Sequence, residues 1–411
     1  MTRVYLARLS SLLALLMIYF LLWKYFIKSL KISTIAFICA IALSLSEIGN
    51  YALTGRNDFL AIFFEVLAAC FFVRGIHQPG TRWIILTSLS CTLAFFTRQN
   101  LFGVIGGSLL FLAYQKNFKK ILILGFSYVF FISITFFTVS HFEPHFLDHS
   151  FKAHTVIWRA FYWGELSTLS FFICYSLFIL LFLSQISQKT SVAEIFFLKI
   201  LVLSSSIIPL IHLYRPGSWL NYFFEPIFYA IPICALKLDS LTLLSPTSKK
   251  RQAFAASFII VCGLSSVIAL WKAKVQYRTT AFFEYERGAQ QVRELAPQGG
   301  ITLGGLAQGI GVYLRDWEIF GPEILNGAHF GETNYPHFKW VYETLDQHLK
   351  QNRSPALLYA HPKCAQNVSA ETIITDPYLL PLMGSYRLKK VIYPWLCLYS
   401  QTEILKQRSS N

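Results

Sequence analysis

The sequence predicts a polytopic α-helical membrane protein of about 10 transmembrane helices, followed by a small C-terminal α/β domain on the extracytoplasmic side. Three observations carry this expectation. Hydrophobic residues make up 55% of the chain and aromatic residues 17%, at a mean hydropathy of +0.48, well above the ordinary soluble range. Ten apolar segments are long enough, or nearly so, to cross a hydrocarbon core of about 30 Å. The loops between them alternate between basic and polar, and the positive-inside rule puts the basic set in the cytoplasm.

Taken in order, the apolar segments fall at 9–27, 32–49, 58–74, 83–97, 100–115, 121–140, 166–184, 195–213, 221–238 and 253–271. The fourth and fifth are short and are divided by Arg98 and Gln99, which fits a tilted or broken pair. The basic loops hold Lys24, Lys28 and Lys31, then Arg74 and Arg82, then Lys116, Lys119 and Lys120, then Lys249, Lys250 and Arg251. The opposite loops hold Gly-Arg-Asn-Asp at 55–58, Thr-Arg-Gln-Asn at 97–100, a His-rich stretch at 141–165 and Arg-Pro-Gly-Ser-Trp-Leu-Asn-Tyr at 215–222. Ten crossings with the Lys249 loop inside leave both Met1 and the tail outside.

Residues 1–271 form the expected transmembrane domain and 272–411 the α/β domain. In the latter, Phe282, Tyr285, Ala289, Val292 and Leu295 recur at helical spacing within 279–296. Short apolar runs at 301–303, 356–359, 372–374 and 395–399 then alternate with Gly, Pro and Asn turns. No repeat of 20 to 50 residues is present.

The net charge of +15 is mostly topology. Residues 1–271 carry 21 Lys and Arg against 9 Asp and Glu, whereas 272–411 carry 15 against 12. Nucleic acid is therefore not an expected partner. Six of the eight cysteines lie in apolar segments, where packing is their ordinary role. Cys364 and Cys397 lie in the polar tail, where an extracytoplasmic location permits a disulfide. Neither a Cys-x-x-Cys nor a His-Glu-x-x-His pattern occurs, so no metal or other cofactor is assigned, and a divalent cation stays admissible.

Polar residues at the outer ends of apolar segments are the candidates for chemistry. Asp58 stands where a helix enters the membrane, as an acid/base or metal-orienting group or as a helix N-cap. Glu65 follows seven residues later on the same face, as an intramembrane polar group or a packing partner. Arg98 and Gln99, flanked by Thr97 and Asn100, offer a planar donor fork suited to phosphate, with a snorkelling turn as the bland reading. Arg215, Asn221, Tyr222 and Glu225 bracket the ninth segment; Asn221 and Glu225 lie one helical turn apart, and capping with an aromatic belt is the alternative. His145 and His149, four apart beside Asp148, admit a metal site, but the aromatic content of that loop favours an interfacial segment. Gly103 and Gly107 form a small-xxx-small pair for helix packing.

Three stretches together resemble the GT-C superfamily of integral-membrane glycosyltransferases, especially bacterial members using polyprenyl-phosphate sugars. Gly-Arg-Asn-Asp-Phe-Leu at 55–60 is similar to the family's Arg-Pro-Asp-x-Leu stretch, Phe-Phe-Thr-Arg-Gln-Asn at 95–100 to its Leu-Thr-Lys-Gln-Thr stretch, and Gly-Ser-Trp-Leu-Asn-Tyr-Phe-Phe-Glu-Pro at 217–226 to its Gly-x-x-x-Asn-Tyr-Phe-x-Glu stretch. Their order matches over roughly residues 5–240. The resemblance implies a polyprenyl-phosphate sugar donor, a glycan, lipid or protein acceptor, and an extracytoplasmic active site in a bacterial inner membrane. It implies catalytic roles for Asp58 and Glu225 and donor binding by Arg56, Arg98, Gln99, Arg215, Asn221 and Tyr222. Family members open with a further helix and an outer loop bearing an acidic residue, and Met1 corresponds to a point just after that loop. The competing expectations are a non-catalytic, truncated relative in polysaccharide assembly, and a lipid-linked glycan or solute transporter using Glu65, Arg98 and Glu225.

Overall fold

A computed structural model describes residues 2–52, 57–99, 101–143, 146, 193–212, 220–243, 260, 264, 267, 271, 282–303, 314, 317–320, 356–360, 364, 366, 386–393 and 396–401. The expected span at 166–184, most of that at 253–271, and the loop at 249–251 lie outside these residues. The chain divides into two compact units, Met1–Pro144 with Ile157–Gln276, and His145–Val156 with Tyr277–Asn411.

The first unit is helical. It comprises α1 (Thr2–Leu22), continued by a π-helical turn at Trp23–Ile27, then α2 (Thr34–Ala52), α3 (Asp58–His77), α4 (Arg82–Thr97), α5 (Gly103–Tyr114), α6 (Phe118–Phe142), α7 (Ala193–His212) and α8 (Phe224–Leu243). Among the described residues, Arg8–Ile27, Asp58–His77, Phe118–Phe142 and Ala193–Leu210 are long and apolar enough to cross a membrane. The two helices flanking Arg98 are shorter, as their sequence predicts. Their rotation is set by what they can bury. α3 is apolar all round and packs on α1 and α4, while α6 turns Leu122, Phe126, Val129, Phe130, Ile134 and Phe137 outward, as a lipid-facing helix does.

Aromatic contacts fix α3 against its neighbours. Phe59 stacks on Phe224 of α8 with ring centroids 5.8 Å apart, and Phe72 meets Phe197 of α7 at 4.6 Å. Ser and Thr side chains of α4 fold back onto its own carbonyls: Thr87, Ser88 and Thr92 each bond the residue four before. Ser88 Oγ also donates to Leu124 O of α6 at 3.0 Å. These hydroxyls are thereby satisfied within the bundle.

Two helix ends share an unusual feature. After the π turn, Ile32 N donates to Ile27 O and Lys31 N to Lys28 O; after α5, Asn117 N donates to Leu112 O and Lys116 N to Ala113 O. Both are Schellman closures, whose left-handed residue is ordinarily glycine. Here it is lysine, with φ of 54° at Lys31 and 55° at Lys116. Each left-handed lysine costs roughly 1 kcal/mol against glycine, offset in part by a positive charge at a helix C-terminus.

The second unit holds helix α9 (Phe282–Leu295) and strands β1 (Gly300–Leu303), β2 (Trp317–Phe320), β3 (Ala356–Ala360), β4 (Tyr386–Tyr393) and β5 (Leu396–Gln401). The sheet order is β2-β1-β3-β5-β4, with β1 parallel to β2 and β3, and the rest antiparallel. Ala289 and Val292 of α9 join the core of Ala356, Leu358, Leu396 and Leu398. Cys364 and Cys397 are joined in a disulfide, with Cα atoms 5.5 Å apart at a sequence separation of 33. Cys364→Ser is expected to destabilise this unit by about 2–5 kcal/mol, read as an earlier denaturant midpoint for its unfolding.

Candidate functional site

At the end of the first unit where α3 begins, five polar residues of the sequence meet. Asp58 is the first residue of α3. It is not the N-cap: Asn57 holds that position, and its side chain makes no cap bond. Asn57 Nδ2 instead donates to Thr97 O at 2.8 Å, tying the start of α3 to the end of α4. The next residue, Arg98, leaves α4 in an extended conformation, and its guanidinium pairs with Asp58. The same guanidinium lies 4.5 Å from the ring centroid of Tyr222, which sits in the 3₁₀ turn Leu220–Phe223 ahead of α8. Such stacking suits the weakly hydrated, planar head of arginine.

Glu225, in the first turn of α8, is within reach of the Arg98 charge. The Phe59–Phe224 stack explains why, since it sets the first turn of α8 beside that of α3. Glu65 lies two turns deeper on α3, fully buried, near the Glu225 carboxyl; Glu65 Oε1 and Glu225 Oε1 have no hydrogen-bond partner among the described residues. Glu65 Oε2 accepts from Val104 N in the first turn of α5, at 3.0 Å. The first turn of a helix has free N–H groups and a partial positive charge, so a buried carboxyl is stabilised there.

Gly103, at the start of α5, closes the arrangement. A Cβ there would fall on Glu225 Oε1 and lie 2.6 Å from Ser205 Cβ of α7. Ser204 Oγ donates to Gly103 O at 2.8 Å. One turn on, a Cβ at Gly107 would lie 2.8 Å from Leu201 of α7. The glycine pair thus serves helix packing, and Gly103 in addition makes room for a carboxyl group. The spacing alone reveals the first role; the second needed the position of Glu225.

Asp58, Glu65, Arg98, Tyr222 and Glu225 are therefore brought together. Gln99 follows Arg98 in the same turn and is partly exposed. Asn221 belongs to the 3₁₀ turn with Tyr222; its side chain, and the whole of Arg56 and Arg215, lie outside the described residues. So do His149 and His154, and the helical pairing expected of His145 with His149. Among the described residues no group of three His, Cys, Asp or Glu is arranged to hold a metal ion.

Chemically, the cluster is one guanidinium among three carboxyl groups, removed from bulk water. Asp58 and Glu225 are each 3% exposed, and the Arg98 side chain 12%. A charged fork held in a dry site acts on developing negative charge without reorganising. The carboxyl groups are suited to orient hydroxyls and to accept a proton. Glu65→Leu, which leaves Val104 N without its acceptor, is expected to cost about 1–3 kcal/mol. Glu65→Gln keeps an acceptor and is expected to cost under about 1 kcal/mol; thermal unfolding of the purified pair checks the difference.

No protein-family model and no curated protein matches the chain. Among solved structures it is similar to ArnT from Cupriavidus metallidurans, crystallised with undecaprenyl phosphate. The TM-score is 0.58 at 15% identity, covering 96% of this chain and 84% of that one. At that identity the likeness concerns the fold, and with the apolar helices it identifies an integral membrane protein with transmembrane helices.

Proposed function

We propose that this chain is a GT-C-type membrane glycosyltransferase. It would transfer a sugar from a polyprenyl-phosphate donor to a glycan, lipid or protein acceptor at the outer face of a bacterial inner membrane. The observation that carries this reading is the Arg98–Asp58 pair, stacked on Tyr222 and backed by Glu225, within a fold like that of ArnT, a protein crystallised with undecaprenyl phosphate. The motifs that resemble the GT-C family supply Asp58, Arg98, Tyr222 and Glu225. The disulfide between Cys364 and Cys397 supports an extracytoplasmic location for the second unit, since such bonds persist outside the reducing cytosol.

In this reading the acceptor hydroxyl oxygen bonds to the anomeric carbon as the bond from that carbon to the phosphate oxygen breaks. The electron pair stays with the phosphate, where charge-assisted hydrogen bonds from Arg98 stabilise it. Arg56, Gln99, Arg215 and Asn221 are proposed as further donor-binding groups. Asp58 orients Arg98 and the acceptor, and Glu225 receives the hydroxyl proton. Binding a phosphate requires Arg98 to divide its donors between Asp58 and the ligand. Its five N–H groups allow this.

The test is transfer of radiolabel from a polyprenyl-phosphate sugar in membranes containing the full chain. Label is expected to move to an acceptor with the wild-type chain and not with Arg98→Ala. A folded chain that binds the polyprenyl phosphate without transferring label would replace this reading with that of a carrier or a non-catalytic subunit.

A further inference from the structure

The opposite end of the first unit carries a second organised cluster that the transfer chemistry does not use. Arg74 is 16 residues after Asp58 on α3, about 24 Å away at 1.5 Å per residue. Its guanidinium lies 5.1 Å from the ring of Tyr25 and 4.9 Å from that of Trp83. Lys24 lies 5.8 Å from the same Tyr25 ring, and Arg82 lies 4.9 Å from the same Trp83 ring. Shared rings thus join three elements into one surface: the π turn, the end of α3 and the start of α4. Lys120, from the start of α6, joins it through a 2.7 Å bond from Nζ to Gly75 O.

Positive charge on this surface exceeds negative: the carboxylates beside it are Glu194, 2.9 Å from His77 Nε2, and Asp239, which accepts from Ser33 N at 3.2 Å. Segments 23–33, 74–83 and 114–121 contain eight Lys and Arg and no Asp or Glu, and none of the eight is ion-paired with a described carboxylate. Lysine at the two left-handed helix closures, Lys31 and Lys116, adds to the pattern. A helix end designed only to stop would take glycine there; these two ends keep an exposed positive charge at a conformational cost. Half-buried Trp23, Tyr25 and Trp83 are of the type that sits at headgroup depth.

We propose that this ring-backed basic surface is a docking site for anionic phospholipid headgroups. Its charge complements a phosphodiester. Its partly buried tryptophan and tyrosine rings lie where acyl chains meet headgroups, and its cations come from helix ends that emerge at the same level. A soluble acidic protein would meet the charge but not the depth of the rings. Each Lys or Arg near an anionic surface is worth about 1 kcal/mol, or roughly fivefold in affinity.

The experiment is native mass spectrometry of the full chain, titrated with phosphatidylglycerol or with phosphatidylcholine. The wild type is expected to retain phosphatidylglycerol about tenfold or more in preference to phosphatidylcholine. Lys31→Gly with Lys116→Gly removes two charges while giving each closure its preferred residue, so thermal stability should not fall. The double variant is expected to bind phosphatidylglycerol about 25-fold more weakly. Arg74→Gln with Arg82→Gln, a second variant, should lose a similar amount. Equal retention of both lipids by the wild type, or wild-type phosphatidylglycerol binding by both variants, would overturn the proposal. Sugar transfer is not read in this experiment, so its outcome stands apart from the function proposed above.

Discussion

Arg98→Ala is expected to reduce sugar transfer to less than about one hundredth of the wild-type rate, the usual consequence of removing a preorganised donor to developing negative charge. Arg98 has two jobs, however. It pairs with buried Asp58, and an alanine would break that buried ion pair at a cost of about 3–5 kcal/mol. Lost activity could then reflect lost fold. Two further variants separate these effects. Asp58→Asn with Arg98→Ala removes both charges and should restore the thermal stability without restoring transfer. Arg98→Lys keeps the charge and abandons the planar fork and its stacking on Tyr222; a loss of about tenfold or more in kcat, with the protein folded, identifies the fork as the active feature. Near-wild-type transfer by Arg98→Lys would reduce the role to a point charge. Full transfer by Arg98→Ala would remove the residue from the site.

Much of this site was legible because polar residues in apolar surroundings are costly and few. Asp58, Glu65, Arg98, Tyr222 and Glu225 stand out against the helices that carry them, and their common side follows from the alternation of loops. Their partners were not legible. Which carboxylate meets the guanidinium depends on the crossing of α3, α4 and α8, set by contacts such as the Phe59–Phe224 stack. The same limit applies to Glu65, whose backbone partner Val104 is an apolar residue with no sequence signal. The sequence admits Asp58 as an N-cap, but the helix begins at it, with Asn57 drawn away to Thr97.

The second unit shows a different limit. The runs at 301–303, 356–359 and 395–399 correspond to β1, β3 and β5, and the amphipathic spacing over 279–296 to α9. Strands β2 and β4 have no counterpart among the apolar runs of the sequence. β4 lies at the edge of the sheet, carries Lys389 and Lys390, and has two register shifts. Charges and bulges of this kind protect an edge from pairing with other chains. They also erase the alternation by which a strand is recognised.

Gly103→Ala is the smallest change expected to disturb the whole cluster. The added methyl would meet Glu225 Oε1, Glu225 Cδ at 2.9 Å and Ser205 Cβ at 2.6 Å. Since Ser205 belongs to α7 and Glu225 to α8, neither side can yield without moving a packed helix or swinging the carboxyl away. Overpacking of this kind costs about 1–3 kcal/mol. Displacement of Glu225 by about 1 Å would in addition lower transfer roughly 100-fold. Gly107→Ala supplies the control, because it crowds the same α5–α7 contact, with Leu201 at 2.8 Å and Ser204 Oγ at 2.9 Å, one turn from Glu225. If Gly103 serves packing alone, the two variants should lose similar stability and similar activity. If it also cradles the carboxyl, Gly103→Ala should lose far more transfer at equal thermal stability. Gly103→Ala combined with Glu225→Asp should then recover part of it, because the shorter side chain vacates the space the methyl takes.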